Sequence, residues 1–409
     1  MKRPFDPGRL PAVSVDRRSS RPLHRQLYET FRQAIAAGRL RPGQRLPSTR
    51  GLAAELGLSR TPAVAAFEQL LAEGFIQGRV GAGSYVSPAL PAGRPPPRPP
   101  RPPSPGPRQV AFHLAGAGEP EPWARALDAF RVGLPALEHL PLETWSALLA
   151  RQARRLSRRA CAYGDPLGLP ALREVLAGYL SASRGVRCDP GEVMIASGSQ
   201  QALALCARVL VGAGAPAWVE EPGYAGARAA FELARARIVP VPVDEEGLDV
   251  EAGLARAPAA RAACVTPSHQ LPLGATMSAA RRLRLLEWAR RAGAWIVEDD
   301  YDSEYRYQSP PVAALHALDP DRRVIYVGTF SKVLFPALRI GYLVVPPDLV
   351  PAFVRAREAM DIFPAPVQQA ALAEFVAEGH FARHLRRMRV LYRARRAALV
   401  EALRRELGP

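Results

Sequence analysis

Lysine is nearly absent from this chain: its 55 basic residues are 53 arginines and two lysines, Lys2 and Lys332. Lys2 sits in a polar leader, whereas Lys332 sits in GTFSKVLFPALRIGYLVVP, residues 328–346. A primary amine condenses with a carbonyl compound, and a permanently protonated guanidinium does not. A composition bias can replace surface lysines by arginine, but not a lysine that makes a covalent bond. Four polar clusters belong to the same part of the chain: Ser199 with Gln200, Ser268 with Gln270, Asp299 with Tyr301, and Thr329 with Ser331 and Lys332. SGSQQAL places small polar residues at a helix start, where free N–H groups and the dipole favour a phosphate. Thr329 and Ser331 add hydroxyls, and Arg339 adds a charged fork. A carboxylate at Asp299 can hold a ring nitrogen protonated, with its neighbour Asp300 as rival, and Tyr301 can donate to a phenolic oxygen. This donor set describes pyridoxal 5'-phosphate, with Lys332 as covalent anchor and the protonated pyridine as electron sink.

The elements around these residues alternate. GEVMIAS, AACVTPS, AWIVEDD and RVIYVGT read as strands, and QQALALCARVLV reads as the helix after the first. Alternation of this kind predicts an α/β domain with a mainly parallel sheet, whose ligands sit outside the carboxyl ends of the strands. Each polar cluster follows one strand, so a single site collects all four. His269, in the same region, reads as a loop or packing histidine and not as a catalyst.

At 409 residues the chain has room for two or three domains. No apolar run approaches the ~20 residues that span a bilayer, and MKRPFDPGRLP lacks the apolar region of a secretory signal. The expected location is the cytoplasm. Cys161, Cys188, Cys206 and Cys264 form no CxxC pair and read as reduced core thiols, without a metal site. The net charge of +17 is uneven: residues 1–108 carry 18 Lys+Arg against 6 Asp+Glu, or +12, and the remainder only +5. A basic front on a nearly balanced body points to a polyanion-binding module. Residues 88–108, about half of them proline, read as a semi-rigid tether between the two.

In the front part, Leu23, Leu27, Phe31 and Ile35 recur at helical spacing before Gly38. Ser48 and Ser59 are placed to cap two further short helices that end at Gly57 and Gly74. Pro62 falls in the first turn of the second, where its missing N–H costs least. Two helices joined by a Gly-containing turn make a helix-turn-helix, and FIQGRVGAGSYVS adds a hairpin wing. The start of the second helix, Ser59, Arg60 and Thr61, would enter the major groove of double-stranded DNA. Arg50 and the wing residue Arg79 would grip the backbone. RLPSTRGLAAELGLSRTPAVAAFEQLLAEGFIQGRVGAGSYV resembles the winged helix-turn-helix of the GntR superfamily of bacterial regulators.

In the back part, EEPGYAGA, CVTPSHQLPLGATMSAARRLRLLEWA, WIVEDDYDSEYRY and RVIYVGTFSKVLFPALRIGY resemble the aminotransferase-like domain of MocR-type regulators. The resemblance implies a fold-type I domain with a mainly parallel seven-stranded sheet. It implies that Lys332 carries the cofactor, Asp299 pairs with the pyridine nitrogen and Tyr301 contacts the ring oxygen. Ser199, Gln200, Thr329, Ser331 and Arg339 would bind the phosphate. Tyr224 would stack on the ring, and Tyr163 would reach the phosphate of a partner subunit. The expected protein is a homodimeric transcriptional regulator that senses an amino acid or amine by imine formation at Lys332. The alternative is an aminotransferase with an accessory DNA-binding domain; a cofactor-free repressor is disfavoured, because every cofactor group is present. Two departures stand out. The loop matching N-P-x-G reads Leu271-Pro272-Leu273-Gly274, which favours a regulator over an efficient transaminase. After the arginine-rich helix of residues 383–405 the small domain is short, so exposed apolar surface is expected there. The expected domains are 1–87, a linker 88–109, a large domain 110–346 and a partial small domain 347–409.

Overall fold

Apolar periodicity in the front part builds three helices, α1 (Leu23–Ala36), α2 (Thr49–Glu55) and α3 (Arg60–Ala72), followed by an antiparallel hairpin of β1 (Ile76–Arg79) and β2 (Gly83–Val86). The computed structural model describes residues 13–17, 19–79, 83–88, 133–158, 160–307 and 313–408. The linker beyond residue 88 lies outside them. The chain divides into two compact units, 1–111 and 112–409. In the first unit Leu27, Phe31 and Ile35 are buried together with Leu52, Phe67 and Leu70, and Phe31 meets Phe67 edge to face at 5.4 Å. Ser48 caps α2 as expected, accepting from the Gly51 N–H at 3.0 Å. Ser59 stands at the start of α3 but its side chain makes no cap hydrogen bond, a departure from the sequence reading. Instead Arg17 donates to the carbonyls of Leu56 and Gly57, at 3.3 and 2.7 Å, and satisfies the end of α2.

The second unit runs α4 (Leu142–Arg154), α5 (Pro170–Arg184), β3 (Val193–Ala196), α6 (Ser199–Leu210), β4 (Pro216–Glu221), α7 (Ala225–Leu233), β5 (Arg237–Asp244), β6 (Gly247–Leu248), α8 (Val250–Arg256), β7 (Ala262–Val265), α9 (Ala279–Ala292), β8 (Trp295–Asp300), β9 (Val324–Thr329), β10 (Gly341–Val344), α10 (Val350–Met360), α11 (Pro366–Ala377) and α12 (His380–Leu407). The sheet order is β3-β10-β9-β8-β7-β4-β5-β6. Strands β9, β8, β7, β4 and β5 pair in parallel, and β10 runs antiparallel to both β9 and β3. The mainly parallel seven-stranded sheet is therefore present, and the two-residue β6 adds an antiparallel edge. The strands β3, β7, β9 and β10 are buried at every position, as continuous apolar runs in a sheet covered on both faces must be.

Helices α6 and α7 pack on one face with Phe353 of α10; α5 and α11 join Trp145 of α4 on the other, around Tyr326 and Tyr342. Residues of α11 and α12, including Leu372, Phe375 and Phe381, share this second core with β3 and β9. Farther along, α12 leaves Val390, Leu399, Leu403 and Leu407 exposed. Of the cysteines, Cys206 and Cys264 are buried, where burial pushes their thiols up. Cys188 is half-buried and Cys161 is exposed, so the core reading fails for Cys161. None of the described residues forms a disulfide or a metal-binding cluster, and no described helix is long and apolar enough to cross a membrane.

Candidate functional site

The parallel strands end together, and the polar clusters that follow them converge there. Lys332 follows β9 by three residues, and its Nζ donates to the Gly133 carbonyl at 2.8 Å. Gly133 has φ +78°, and a Cβ on it would stand 2.7 Å from that Nζ. The backbone there favours glycine, and a Cβ would push the flexible lysine tip off this carbonyl. This partner lies 199 residues away in sequence, and no local signal announces it.

Asp299 and Asp300 close β8 and, as successive strand residues, point to opposite faces. Asp300 is held by Arg184 (2.7 and 2.8 Å), by Tyr326 at 2.5 Å and by Ser303 at 2.9 Å, all on Oδ2. Arg184 in turn donates to Ser268 at 2.8 Å. Asp299 has no such ring of donors: its Oδ1 is buried without a hydrogen-bond partner. Burial, and then the carboxylates of Asp300, Glu220 and Asp302, push its pKa up to about 7, against the opposing pull of Lys332. A buried acceptor in this state is stabilised by a cationic N–H. Asp300 Oδ1 is likewise buried without a partner, but its Oδ2 is engaged by three side chains, so Asp299 is the carboxylate the protein itself engages less.

Beyond it, the Tyr301 hydroxyl lies 3.3 Å from His269 Nδ1, and the same nitrogen lies 2.7 Å from Asp302 Oδ2. The short contact identifies Nδ1–H as the donor to Asp302, which leaves the Tyr301 proton available to a ligand oxygen. The hydrogen bond to Asp302 raises the His269 pKa. The two rings lie nearly parallel at 5.9 Å. His269 is thus a loop histidine, as read from sequence, whose ring is tied to Asp302 and lies beside Tyr301.

The phosphate end is built at α6. Gly198 precedes it at φ +87°, and Ser199 and Gln200 form its first turn, where backbone N–H groups lack helical partners. Arg339 donates to the Ser197 carbonyl at 2.6 Å, and its guanidinium lies about where a Cβ on Gly198 would make contact, 3.1–3.2 Å. A fixed cation therefore stands beside a helix N-terminus. Thr329 and Ser331 hydroxyls are 3.1 Å apart. Tyr224 donates to Gln200 Oε1 at 3.1 Å, which brings it into the same cluster. Glu220, not singled out from sequence, forms a buried floor with Gln270. Its carboxylate accepts from the Thr266 N–H and hydroxyl (2.9 and 2.6 Å) and from Gln270 (3.2 Å). Tyr163 is not brought to this cluster: it is 83% exposed and meets Phe363 edge to face.

These residues fit pyridoxal 5'-phosphate on two observations of the structure. The orphaned Asp299 oxygen is matched by the N–H donor of a protonated pyridine. The cradle of Arg339, Gly198 and the α6 N-terminus presents a cation and free N–H groups to an anion.

In the first unit Arg50, Ser59, Arg60 and Thr61 are exposed at the starts of α2 and α3. Arg60 Nε lies 3.4 Å from the Thr49 hydroxyl, so the two helix starts are tied together. Arg79 ends β1, and its side chain lies outside the described residues. Arg45, which pairs with Tyr85 of the wing, adds an exposed arginine that the sequence reading missed.

Comparison with known proteins agrees with both halves. Residues 133–408 match the family model "Aminotransferase class I and II", and residues 23–86 match "Bacterial regulatory proteins, gntR family". The probable rhizopine catabolism regulatory protein MocR of Rhizobium meliloti is 44% identical over 96% of this chain and 80% of its own length. The pyridoxine biosynthesis regulator PdxR of Corynebacterium glutamicum is 34% identical over 92% of this chain and 78% of its own. Among solved structures, a kynurenine aminotransferase of Pyrococcus horikoshii superposes with a TM-score of 0.62 at 34% identity, covering 68% of this chain and 70% of that one. The chain belongs to the MocR-type transcriptional regulators, in which a gntR-family winged helix is joined to an aminotransferase class I and II domain.

Proposed function

We propose that this protein is a pyridoxal-phosphate-dependent regulator of transcription that binds operator DNA through its winged helix and senses a small amino acid or amine beside Lys332. The observation that carries this reading is the pairing of one amine, Lys332, with a buried carboxylate whose Oδ1 lacks a hydrogen-bond donor, Asp299, in a chain whose one other lysine, Lys2, lies in the polar leader. When bound, the cofactor supplies a carbonyl for the amine and an electron-poor ring. Lys332 anchors it; Asp299 holds the ring nitrogen's proton. Tyr301 donates to the ring oxygen with His269 and Asp302 behind it. Ser199, Gln200, Thr329, Ser331 and Arg339 hold the phosphate, and Tyr224 covers the ring. Tyr163, exposed in one subunit, reaches the phosphate of the second in a homodimer. On the DNA side, Ser59, Arg60 and Thr61 meet base edges, while Arg50 and Arg79 hold phosphates.

Effector binding that favours one conformation of the back domain shifts the affinity for DNA by the same factor by which DNA shifts effector binding. The similarity to aminotransferases supports a second reading, turnover of an amino donor and a keto acid. The test is a visible absorption spectrum with added pyridoxal phosphate for wild type and Lys332→Ala, with operator binding measured on the same samples. A borohydride-fixable band in wild type only, with salt-sensitive DNA binding that an amine modulates, supports the regulator. A band with steady turnover and no specific DNA binding supports the enzyme. No band in wild type refutes the cofactor reading.

A further inference from the structure

The turn between β3 and α6 is tied to α10 as well as to Arg339. Arg339 donates to the Ser197 carbonyl at 2.6 Å, and the N–H of the same serine donates to Gln201 Oε1 at 2.7 Å. Both peptide planes that meet at Ser197 are therefore fixed, immediately before Gly198 and the free N–H groups of α6. Gln201 is in turn held by α10. Its Oε1 also accepts from Arg357 Nη1 at 2.9 Å, and its Nε2 donates to Asp361 Oδ2 at 2.7 Å. Each end of the amide meets groups of the matching kind, which fixes its orientation. Arg357 donates from the same Nη1 to the Ile195 carbonyl at 3.1 Å, and its Nε lies 2.8 Å from Asp361 Oδ1. This guanidinium is fully buried, and its Nη2 has no hydrogen-bond partner. A buried cation with a donor to spare is costly to keep for packing alone. The exit from α10 is costly too: Ile362, a β-branched residue, takes φ +67° directly after Asp361. Two unfavourable features thus converge on one network, and that network ends on the Ser197 backbone.

We propose that Gln201, Arg357 and Asp361 are positioning residues for the phosphate cradle: together they set the angle at which the Ser197–Gly198 turn presents Arg339 and the α6 N–H groups, and so set the preference for a phosphorylated ligand. This rests on the cofactor reading above and deepens it by naming side chains that decide phosphate selectivity through the turn. When the clamp is loosened, the Ser197 carbonyl swings away from Arg339, and the guanidinium loses the acceptor that fixes its fork. A phosphate then meets misaligned donors. A ligand without the phosphate has nothing at that end to lose.

The experiment titrates the full-length protein with pyridoxal phosphate and with pyridoxal, followed by absorption, in wild type, Gln201→Met, Arg357→Met and Arg357→Lys. A thermal melt and a phosphorus NMR spectrum of the bound pyridoxal phosphate accompany each. The expected result is that wild type prefers pyridoxal phosphate. The ratio of the two dissociation constants falls about 10-fold or more in both methionine variants, the size of one lost hydrogen bond to a charged group. Their bound phosphorus resonance is displaced from that of wild type. Arg357→Lys keeps part of the ratio, because an ammonium still donates to Gln201 but lacks the fork. Where Arg357→Met does not fold, Gln201→Met, at a half-buried position, decides. Equal weakening of both ligands overturns the clamp and makes these residues structural, as does a Gln201→Met protein whose ratio and phosphorus resonance match wild type. Wild type that binds both ligands without preference overturns the clamp as well. Failure of wild type to bind pyridoxal phosphate overturns the cofactor reading and this inference with it.

Discussion

Replacing Asp299 by asparagine separates what the folded domain tolerates from what its ligand requires. The carboxyl is buried among other carboxylates, and its pKa is raised from an ordinary 3.8 to about 7. A raised carboxylate pKa means that the native state holds its proton after the unfolded chain has lost it. Stability therefore falls as pH rises from about 4 to about 7 and then levels off. At ~1.4 kcal/mol per pH unit, the penalty reaches roughly 4 kcal/mol at pH 8 and about 2 kcal/mol at pH 5. The asparagine amide would carry no such penalty and has nearly the same shape. The cofactor-free Asp299→Asn protein should then be more stable than wild type, by about 6 °C in melting temperature at pH 8 for a unit of about 300 residues, and by less than half of that at pH 5. With saturating pyridoxal phosphate the order should reverse, because the protonated ring nitrogen loses its counter-charge. Thermal melts of both proteins at four pH values, with and without cofactor, test this. A lower melting point for the cofactor-free variant at pH 8, or a gain that does not change between pH 4 and pH 8, would refute the reasoning.

Further predictions address the residues that support the site and the DNA face. Gly133→Ala forces a side chain onto φ +78° and to within 2.7 Å of Lys332 Nζ; it should cost about 1 kcal/mol of stability yet reduce cofactor affinity at least tenfold, measured by equilibrium dialysis. Arg184→Met removes the buried partner of Asp300 and should destabilise the domain by roughly 3–5 kcal/mol; a denaturation midpoint within error of wild type would refute this. Arg60→Gln should weaken operator binding and relax its base preference at one position, an effect of about 1–3 kcal/mol if the side chain reads a guanine. A uniform loss across sequences, with the salt slope reduced by about 1, would place Arg60 on a phosphate instead.

The residue types of this chain made the cofactor reading and the broad architecture legible. A lone functional lysine could be picked out because arginine had taken every other cationic position but the leader, and guanidinium cannot replace an amine. Continuous apolar runs marked which segments are central strands, and a polar residue just beyond each run marked the end of the sheet where the polar clusters gather. The front helices were legible for a similar reason: Leu27, Phe31 and Ile35 are spaced for one buried face. What sequence could not decide was direction and distance. Glu298, Asp299 and Asp300 are three consecutive acids, and only the pairing of β8 with its neighbours settles that Asp300 faces Arg184 while Asp299 faces the site. The cap at Ser59 was misread because a serine before a helix satisfies the pattern whether or not its hydroxyl turns inward. Gly133 meets Lys332 only after the sheet and its helices have brought distant segments together. Local spacing carries no record of contacts made across 199 residues, because the chain's path between them is set by the packing of the sheet and its helices.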